Sequence, residues 1–119
     1  MQVKQILVRV YVNDIHQAID FYEELLNKKC SSLFDYPQVQ LKIASIGNLL
    51  LIAGSDKALK PFRNTTATML VDSIEEYNDF LLKNGATIIR DIQQVPTGFN
   101  MTVQHKDGTI VEYVEHRKL

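Results

Sequence analysis

The sequence feature that most constrains the fold is an internal repeat whose period is about half the chain. Three apolar residues around the start of a predicted helix have counterparts 59 positions later: Val12, Ile15 and Phe21 correspond to Val71, Ile74 and Phe80. In a chain of 119 residues this offset indicates a duplicated module. A single module could not easily bury both a sheet face and a helix face, so two modules are expected to share a core or to exchange partners in a dimer.

The first half is predicted to contain a strand, a helix and three further strands. Residues 5–12 alternate between two faces, with the valines on one of them. Asp14 and Gln17 resemble a capping box in front of apolar residues at helical spacing, which predicts a helix of roughly three turns. Short extended runs separated by turn residues then predict three antiparallel strands, at 31–36, 39–45 and 49–54.

The second half repeats this order. A strand is predicted at 66–71, and Ser73 with Glu76 is predicted to cap a helix that Gly85 ends. Three strands follow, at 86–91, 100–105 and 109–115. Asp107-Gly108 is a strong hairpin signal, and a two-residue turn there would place Glu112 opposite Val103.

These elements predict an α+β fold of two βαβββ modules in a single domain, 1–119. Module one is assigned to 1–54 and module two to 65–119, with a linker at 55–64. Pro61 and several charged residues suit the linker to an exposed crossover.

Composition and charge exclude several classes of function. The 13 basic and 14 acidic residues give a formal charge of −1 without a long run of like charge, so no nucleic-acid or membrane partner is expected. The longest apolar run, 49–53, is too short to cross a bilayer, and we expect no signal peptide. The single cysteine, Cys30, cannot form an internal disulfide, which suits a cytoplasmic protein.

Two short segments are the most distinctive motifs of the chain. In the first, Val12-Asn13-Asp14-Ile15 leads into a helix that contains Phe21-Tyr22, and in the second an Asp107-Gly108 hairpin precedes Glu112. Together with the duplication, these motifs resemble the glyoxalase/bleomycin-resistance (vicinal oxygen chelate) superfamily over essentially the whole chain. The resemblance implies curled mixed sheets that form a concave cavity.

The resemblance also implies positions for a divalent metal, from which this sequence departs. Enzymes of the family take ligands from the first and last strands of each module. The corresponding positions here are Leu7, Thr66, Glu112 and, depending on the alignment of the hairpins, Ile52 or Ala53. A leucine cannot bind a cation and a threonine hydroxyl is a weak ligand, so one carboxylate remains. We therefore predict no metal and no cofactor.

Glu112 is the most informative candidate residue. Strand alternation puts it in a row with Ile110 and Val114, and a carboxylate among aliphatic side chains is costly unless a cation pairs with it. Arg9 is the natural candidate for that cation, because it shares a strand face with Leu7, which the resemblance assigns to the cavity. The alternative is a vestigial or solvent-facing role for Glu112.

The predicted ligand-binding set is Leu7, Arg9, Tyr11, Thr66, Thr68, Phe99 and Glu112. Arg9 and Tyr11 alternate with the valines of the first strand, so they would present a wall suited to an anionic or aromatic ligand. The alternative for Arg9 is a solvated strand residue. Phe99 follows Pro96 in a predicted loop that either closes over the cavity or is a plain turn.

Three hypotheses for function follow. The leading one is a metal-free cavity that binds a small aromatic or anionic molecule, in the manner of the bleomycin-resistance proteins. The second is an enzyme of the superfamily, lyase or dioxygenase-like, with an atypical or absent metal site, in which Glu112 acts as catalytic general base. The third is a non-catalytic module for dimerisation or partner binding.

A homodimer is expected because sheet edges need covering. The three histidines, His16, His105 and His116, are interpreted as isolated surface residues.

Overall fold

The computed structural model describes residues 1–117, and its element order confirms the predicted α+β fold of two βαβββ modules. The first module consists of β1 (Val3–Val12), α1 (Ile15–Leu26), β2 (Ser32–Tyr36), β3 (Leu41–Ile46) and β4 (Leu49–Ala53). A short helix, α2 (Asp56–Leu59), follows it. The second module consists of β5 (Thr65–Val71), α3 (Ile74–Lys83), β6 (Thr87–Val95), β7 (Gly98–Gln104) and β8 (Ile110–His116). No helix within residues 1–117 is long and apolar enough to cross a membrane.

The chain packs as two compact units, and the boundary between them cuts through β1. The first unit is formed by residues 8–64. Its strands lie in the order β2-β3-β4-β1, with β1 parallel to β4 and the other neighbours antiparallel. α1 packs on one face of this sheet, around the buried residues Ile15, Ala18, Ala44, Ile46, Leu51 and Ala53.

The other face of the first-unit sheet packs against the segment that was predicted to be an exposed linker. Leu59 of α2 is completely buried against Leu41 and Ile52, and Phe62 packs on the same cluster. The side chain of Ser55 caps α2. The segment differs from the expectation because α2 directs Leu59 toward the sheet, and in the turn that follows it the backbone N–H of Phe62 donates to the carbonyl of Leu59 at 2.9 Å, which brings Phe62 to the same cluster.

The second unit is formed by residues 1–7 and 65–117. Its strands lie in the order β1-β5-β8-β7-β6, with β5 parallel to β8 and β6, β7 and β8 antiparallel to their neighbours. α3 packs on one face of the sheet. The buried residues of this core are Val71, Ile74, Tyr77, Leu81, Met101, Val103, Val111 and Tyr113.

Both long helices begin at the predicted caps. The carboxylate of Asp14 and the hydroxyl of Ser73 each accept a hydrogen bond from the backbone N–H three residues later, at 3.0 and 3.3 Å. The start of α3 has a further acceptor, because the buried carboxylate of Glu115 receives the backbone N–H of Ile74 at 2.9 Å. These bonds satisfy backbone donors that the first turn of a helix leaves without intrahelical partners.

The β7–β8 hairpin differs by one residue from the predicted register. A two-residue turn would place Glu112 opposite Val103, whereas Glu112 lies opposite Thr102. The reason is that the backbone N–H of His105 donates to the carbonyl of Thr109 at 2.8 Å, which leaves a three-residue loop instead of a two-residue one. Glu112 therefore faces a polar neighbour where an apolar one was expected.

Candidate ligand-binding site

Glu112 lies on the face of the second-unit sheet opposite to α3. Its chain neighbours Val111 and Tyr113 belong to the core beneath α3, so strand alternation directs Glu112 to the other side. The hydroxyl of Thr68 on β5 donates to Oε1 of Glu112 at 3.0 Å, and the amide of Asn100 on β7 donates to Oε2 at 3.4 Å. Thr68 is 2% exposed and Asn100 is 7% exposed, so the carboxylate is held by two buried polar groups.

Asn100 connects this carboxylate to a cation on β6. Nη1 of Arg90 donates to Oδ1 of Asn100 at 2.9 Å, and Nη2 donates to Oγ1 of Thr102 at 3.3 Å. Because Arg90 occupies the oxygen of the Asn100 amide, the nitrogen is left to face Glu112. The five residues Thr68, Arg90, Asn100, Thr102 and Glu112, here called the Glu112 network, extend across four strands.

Arg90 reaches this face because of two irregularities in β6. The pairing of β6 with β7 shifts register between Ile88 and Arg90, and again between Arg90 and Gln93. Ile88 and Ile92 both pack on the core beneath α3, so in a regular strand Arg90, midway between them, would also point toward α3. The shifts turn Arg90 to the opposite face, which is how a β-bulge redirects a side chain.

Three residues of the predicted set lie in the second unit but outside the Glu112 network. Leu7 is buried, and Thr66 is exposed with its hydroxyl donating to the carbonyl of Ile110 at 3.1 Å. Phe99 lies in β7 and not in a loop, and it packs on the core beneath α3 with the Arg117 guanidinium 4.4 Å from its ring centre. The early start of β7 at Gly98 places Phe99 one residue before Asn100 and therefore on the opposite face from it.

Arg9 and Tyr11 lie in the part of β1 that belongs to the first unit. The guanidinium of Arg9 lies 5.5 Å from the ring centre of Tyr11, within the range of a cation–π contact. The Tyr11 hydroxyl donates to the carbonyl of Phe62, and Arg63 lies 5.9 Å from the same ring. Tyr11 thus joins the apolar cluster around Leu59 by its ring.

His105 differs from the surface histidine that was expected. It is half-buried, and its Nε2 lies 2.7 Å from the hydroxyl of Tyr113. Tyr113 stacks on Tyr77 at 5.9 Å, and burial raises the pKa of the Tyr113 hydroxyl to about 12. Because Tyr113 is part of the core beneath α3, His105 contributes to packing on the face away from Glu112. His16 and His116 are exposed.

The donor set around Glu112 does not fit a divalent metal. Thr68 and Asn100 are neutral, and both direct hydrogens at the carboxylate, whereas a cation would need their oxygens. Within residues 1–117, no group of three or more His, Cys, Asp or Glu side chains is arranged to hold a metal ion.

Comparison with known proteins gives matches among solved structures. No protein-family model and no curated protein matches the sequence. An uncharacterized, hypothetical protein from Methanosarcina mazei is 51% identical, with a TM-score of 0.89 over 100% of this chain and 97% of that one. Methylmalonyl-CoA epimerase from Mycobacterium tuberculosis is 18% identical, with a TM-score of 0.76 over 98% and 90%. A variant of Streptomyces coelicolor methylmalonyl-CoA epimerase in complex with 2-nitronate-propionyl-CoA is 13% identical, with a TM-score of 0.75 over 97% and 96%. The two epimerases share the fold.

Proposed function

We propose that this chain is a member of the glyoxalase/bleomycin-resistance (vicinal oxygen chelate) superfamily, and that it binds a small aromatic or anionic molecule on the sheet face that carries Glu112. The observation that carries the proposal is the fixed carboxylate. Two buried donors, Thr68 and Asn100, hold both oxygens of Glu112 on the face that α3 does not cover. A carboxylate oriented in this way can select a ligand that presents a hydrogen-bond donor.

A purely structural role explains the Glu112 network less well. A polar row on a sheet face is not needed for packing, since apolar side chains of similar volume are often as stable or more stable in such places. The apolar side chains of Val114 and Ile110 on the same strand face illustrate that alternative. A network of this kind is costly when only partly satisfied, so its presence favours a use in recognition.

The structural comparisons support small-molecule binding as the type of function. The Streptomyces coelicolor epimerase, which has the same fold, is in complex with an acyl-CoA derivative. Acyl-CoA thioesters are therefore reasonable first probes, together with simple aromatic acids that match the proposed chemistry.

Calorimetric titration of the purified protein with propionyl-CoA, coenzyme A and benzoate tests the proposal. The variant Glu112→Gln keeps the shape of the side chain and removes its charge, so we expect the binding of coenzyme A and propionyl-CoA, which present hydrogen-bond donors, to weaken by about 1–3 kcal/mol. Glu24→Gln, on the exposed surface of α1, is the matched charge control and should bind as the wild type does. Equal affinities of wild type and Glu112→Gln for every probe that binds would refute the proposal.

Metal content belongs to the same proposal. We expect no stoichiometric divalent metal in the purified protein, because Leu7 and Thr66 replace usual ligands and the donors around Glu112 point hydrogens at it. Elemental analysis that finds about one Ni, Zn, Fe or Mn per chain would contradict this expectation.

A second candidate is an enzyme in which Glu112 moves a proton. It is favoured by the fixed orientation of the carboxylate and by the fold shared with two epimerases, because epimerisation must break and remake a C–H bond. Incubation of methylmalonyl-CoA with the protein in D₂O, followed by NMR, separates the two candidates. The enzyme would be favoured if the wild type exchanges the α-proton of the substrate for deuterium and the Glu112→Gln variant does not.

A third candidate is assembly into a homodimer, which stays a prediction. The two sheet-edge strands carry exposed apolar residues, with Leu33 of β2 48% exposed and Ile89 of β6 51% exposed. The bulges of β6 hinder edge-to-edge pairing, so β2 is the better template for a second copy. Light scattering should give a dimer mass that Leu33→Lys reduces to a monomer mass and Ile89→Lys does not. A monomer mass for the wild type at micromolar concentration would exclude the dimer.

A further inference from the structure

We propose that Arg90 recognises an oxyanion, a carboxylate or phosphate group, of the molecule that binds at the Glu112 network. The inference rests on the proposed function and adds to it the class of ligand and the direction in which the ligand lies. Sequence patterns do not point to Arg90. Its position and its hydrogen bonds do.

The backbone of β6 directs Arg90 toward the face of Glu112. Ile88 and Ile92 pack beneath α3, and the register shifts on either side of Arg90 turn its side chain to the face that carries Glu112. Bulges interrupt the ladder of backbone hydrogen bonds, and they are over-represented next to active sites. Two register shifts around a single residue are hard to explain by packing, because an apolar residue at this position in a regular strand would bury more apolar surface in the core beneath α3.

Arg90 has two neutral hydrogen-bond partners, Asn100 and Thr102. A guanidinium carries five N–H donors, and the two bonds to Asn100 and Thr102 leave three of them for other acceptors. Both protein acceptors are neutral, and within residues 1–117 no carboxylate forms an ion pair with Arg90. Arg117 and Arg63, in contrast, both contact carboxylates, of Glu115 and Asp56 respectively.

The direction of the Arg90 side chain and its neutral partners together define an anion-selective subsite. Asn100 and Thr102 fix the plane of the guanidinium. A guanidinium fixed in this way presents its N–H groups as a rigid pair of donors, called the fork, which suits bidentate pairing with a carboxylate or a phosphate. Holding the side chain in advance also lowers the entropy lost when the ligand binds.

The position of Glu112 sets the direction of the ligand. Arg90 lies on β6 and Glu112 on β8, two strands apart, which corresponds to about 10 Å between their backbones. A negative group is attracted near Arg90, and the carboxylate of Glu112 accepts hydrogen bonds. The ligand should therefore place its oxyanion over β6 and its neutral or hydrogen-bond-donating part over β8.

The test compares matched acid and amide probes. Benzoate and benzamide have the same ring and nearly the same shape and differ in charge, and inorganic phosphate separates phosphate from carboxylate recognition. We expect wild type to bind benzoate about tenfold more tightly than benzamide, because charge-assisted hydrogen bonds are the stronger kind. Arg90→Gln should reduce this preference to about one without weakening benzamide binding. Arg90→Lys should retain part of it, because lysine keeps the charge and loses the fork.

Two controls keep the result interpretable. Lys83→Gln removes a positive charge from the exposed surface of α3 and should leave the preference unchanged. Thermal unfolding of each variant checks that the fold is intact. The side-chain Nε–H resonance of Arg90, followed by NMR, gives a readout that a merely structural role would not move, since it should shift with benzoate or phosphate and not with benzamide.

The failure of this inference can be told apart from the failure of the proposed function. If Glu112→Gln weakens the binding of benzamide, which presents N–H donors, while Arg90→Gln leaves the benzoate preference intact, the Arg90 subsite is refuted and the binding function stands. If none of the probes shifts the Arg90 resonance at millimolar concentration, the subsite is also refuted. If Arg90→Gln abolishes the preference and Glu112→Gln changes neither probe, the anion site stands and the role proposed for Glu112 fails.

Discussion

The two units have the same element order but use the sheet face away from their long helix in different ways. In the first unit that face packs on an apolar cluster of Leu41, Ile52 and Leu59, which α2 completes. In the second unit the equivalent face carries the Glu112 network. The two units therefore share one element order, but one carries an apolar cluster on this face and the other carries a polar network.

The starts of the two long helices show a second difference of the same kind. Glu115 follows Val114, which pairs with Leu70, and its carboxylate binds the backbone N–H of Ile74 at the start of α3. In the first unit, Ala53 pairs with Val12 directly before α1 and has no polar side chain to offer. A shallow pocket lies there, with Asn13, His16, Lys42 and Ala53 among its lining residues. The second unit thus has an additional acceptor at its helix start.

The largest predicted effect concerns the closure of the first unit. Leu59→Ala should destabilise the protein by about 2–5 kcal/mol, because it removes a completely buried side chain from the cluster with Leu41 and Ile52. The measurement is urea-induced unfolding. Leu82→Ala is the matched control. Leu82 is 51% exposed on α3, so its removal should lower the free energy of unfolding much less. Equal losses for the two variants would mean that α2 does not close this face.

The next effect concerns the extra acceptor of the second unit. Glu115→Ala should cost about 2–3 kcal/mol, because it leaves a buried N–H of Ile74 without its acceptor and frees Arg117 from its closest carboxylate. Glu75→Ala, which removes the exposed carboxylate 3.5 Å from Arg117, is the control and should cost less than about 1 kcal/mol. A loss for Glu115→Ala no larger than that of the control would contradict the comparison of the helix starts.

The fold could be predicted from the sequence to a large extent because its signals are local and repeated. Asp14 and Ser73 cap helices where their side chains predict caps, and the offset of 59 gives the duplicated order. Leu59 was assigned to an exposed linker because a single helical turn is too short to show a periodicity. The bounds of β6 were also set too short, since the strand continues to Val95 past its two irregularities.

The candidate site could be predicted less well, and the reason is backbone geometry. Glu112 and Thr68 share a face by simple alternation, so the sequence places them together and the structure joins them by a hydrogen bond. Arg90 was missed because alternation groups it with Ile88 and Ile92, and bulges leave no clear sequence signal. Asn100 was missed because the hairpin register was one residue off, which paired Glu112 with Val103.

A smaller effect concerns the core beneath α3 at high pH. The folded protein raises the pKa of Tyr113 to about 12 by burying its hydroxyl, whereas an unfolded chain has a tyrosine pKa of about 10. The raised pKa adds to the free energy of unfolding. This added stability is fully present below about pH 10 and is lost as pH rises toward about 12, because the tyrosine of the unfolded state releases its proton first. We expect a loss of about 1–2 kcal/mol over this range, seen in urea unfolding at stepped pH. Tyr113→Phe should flatten this dependence, and an unchanged slope in that variant would assign it to other groups.

The smallest predicted effect separates the helix starts of the two units directly. Removal of a helix cap costs about 0.5–2 kcal/mol. Asp14→Ala should fall in the middle of this range, because Ala53 beside α1 offers no replacement acceptor. Ser73→Ala should fall at its lower end, because Glu115 still binds the first backbone N–H of α3.

A double-mutant cycle makes this last comparison decisive. If Ser73 and Glu115 share the work of satisfying the start of α3, Ser73→Ala should cost more in the Glu115→Ala background than in the wild type, since neighbouring groups that act on one element do not contribute additively. Asp14→Ala should cost the same in both backgrounds, because its helix belongs to the other unit. Urea unfolding of the six proteins gives all the values needed. If the losses of unfolding free energy for Ser73→Ala and Glu115→Ala are additive, the two acceptors act independently. The start of α3 is then stabilised only by the sum of their separate effects.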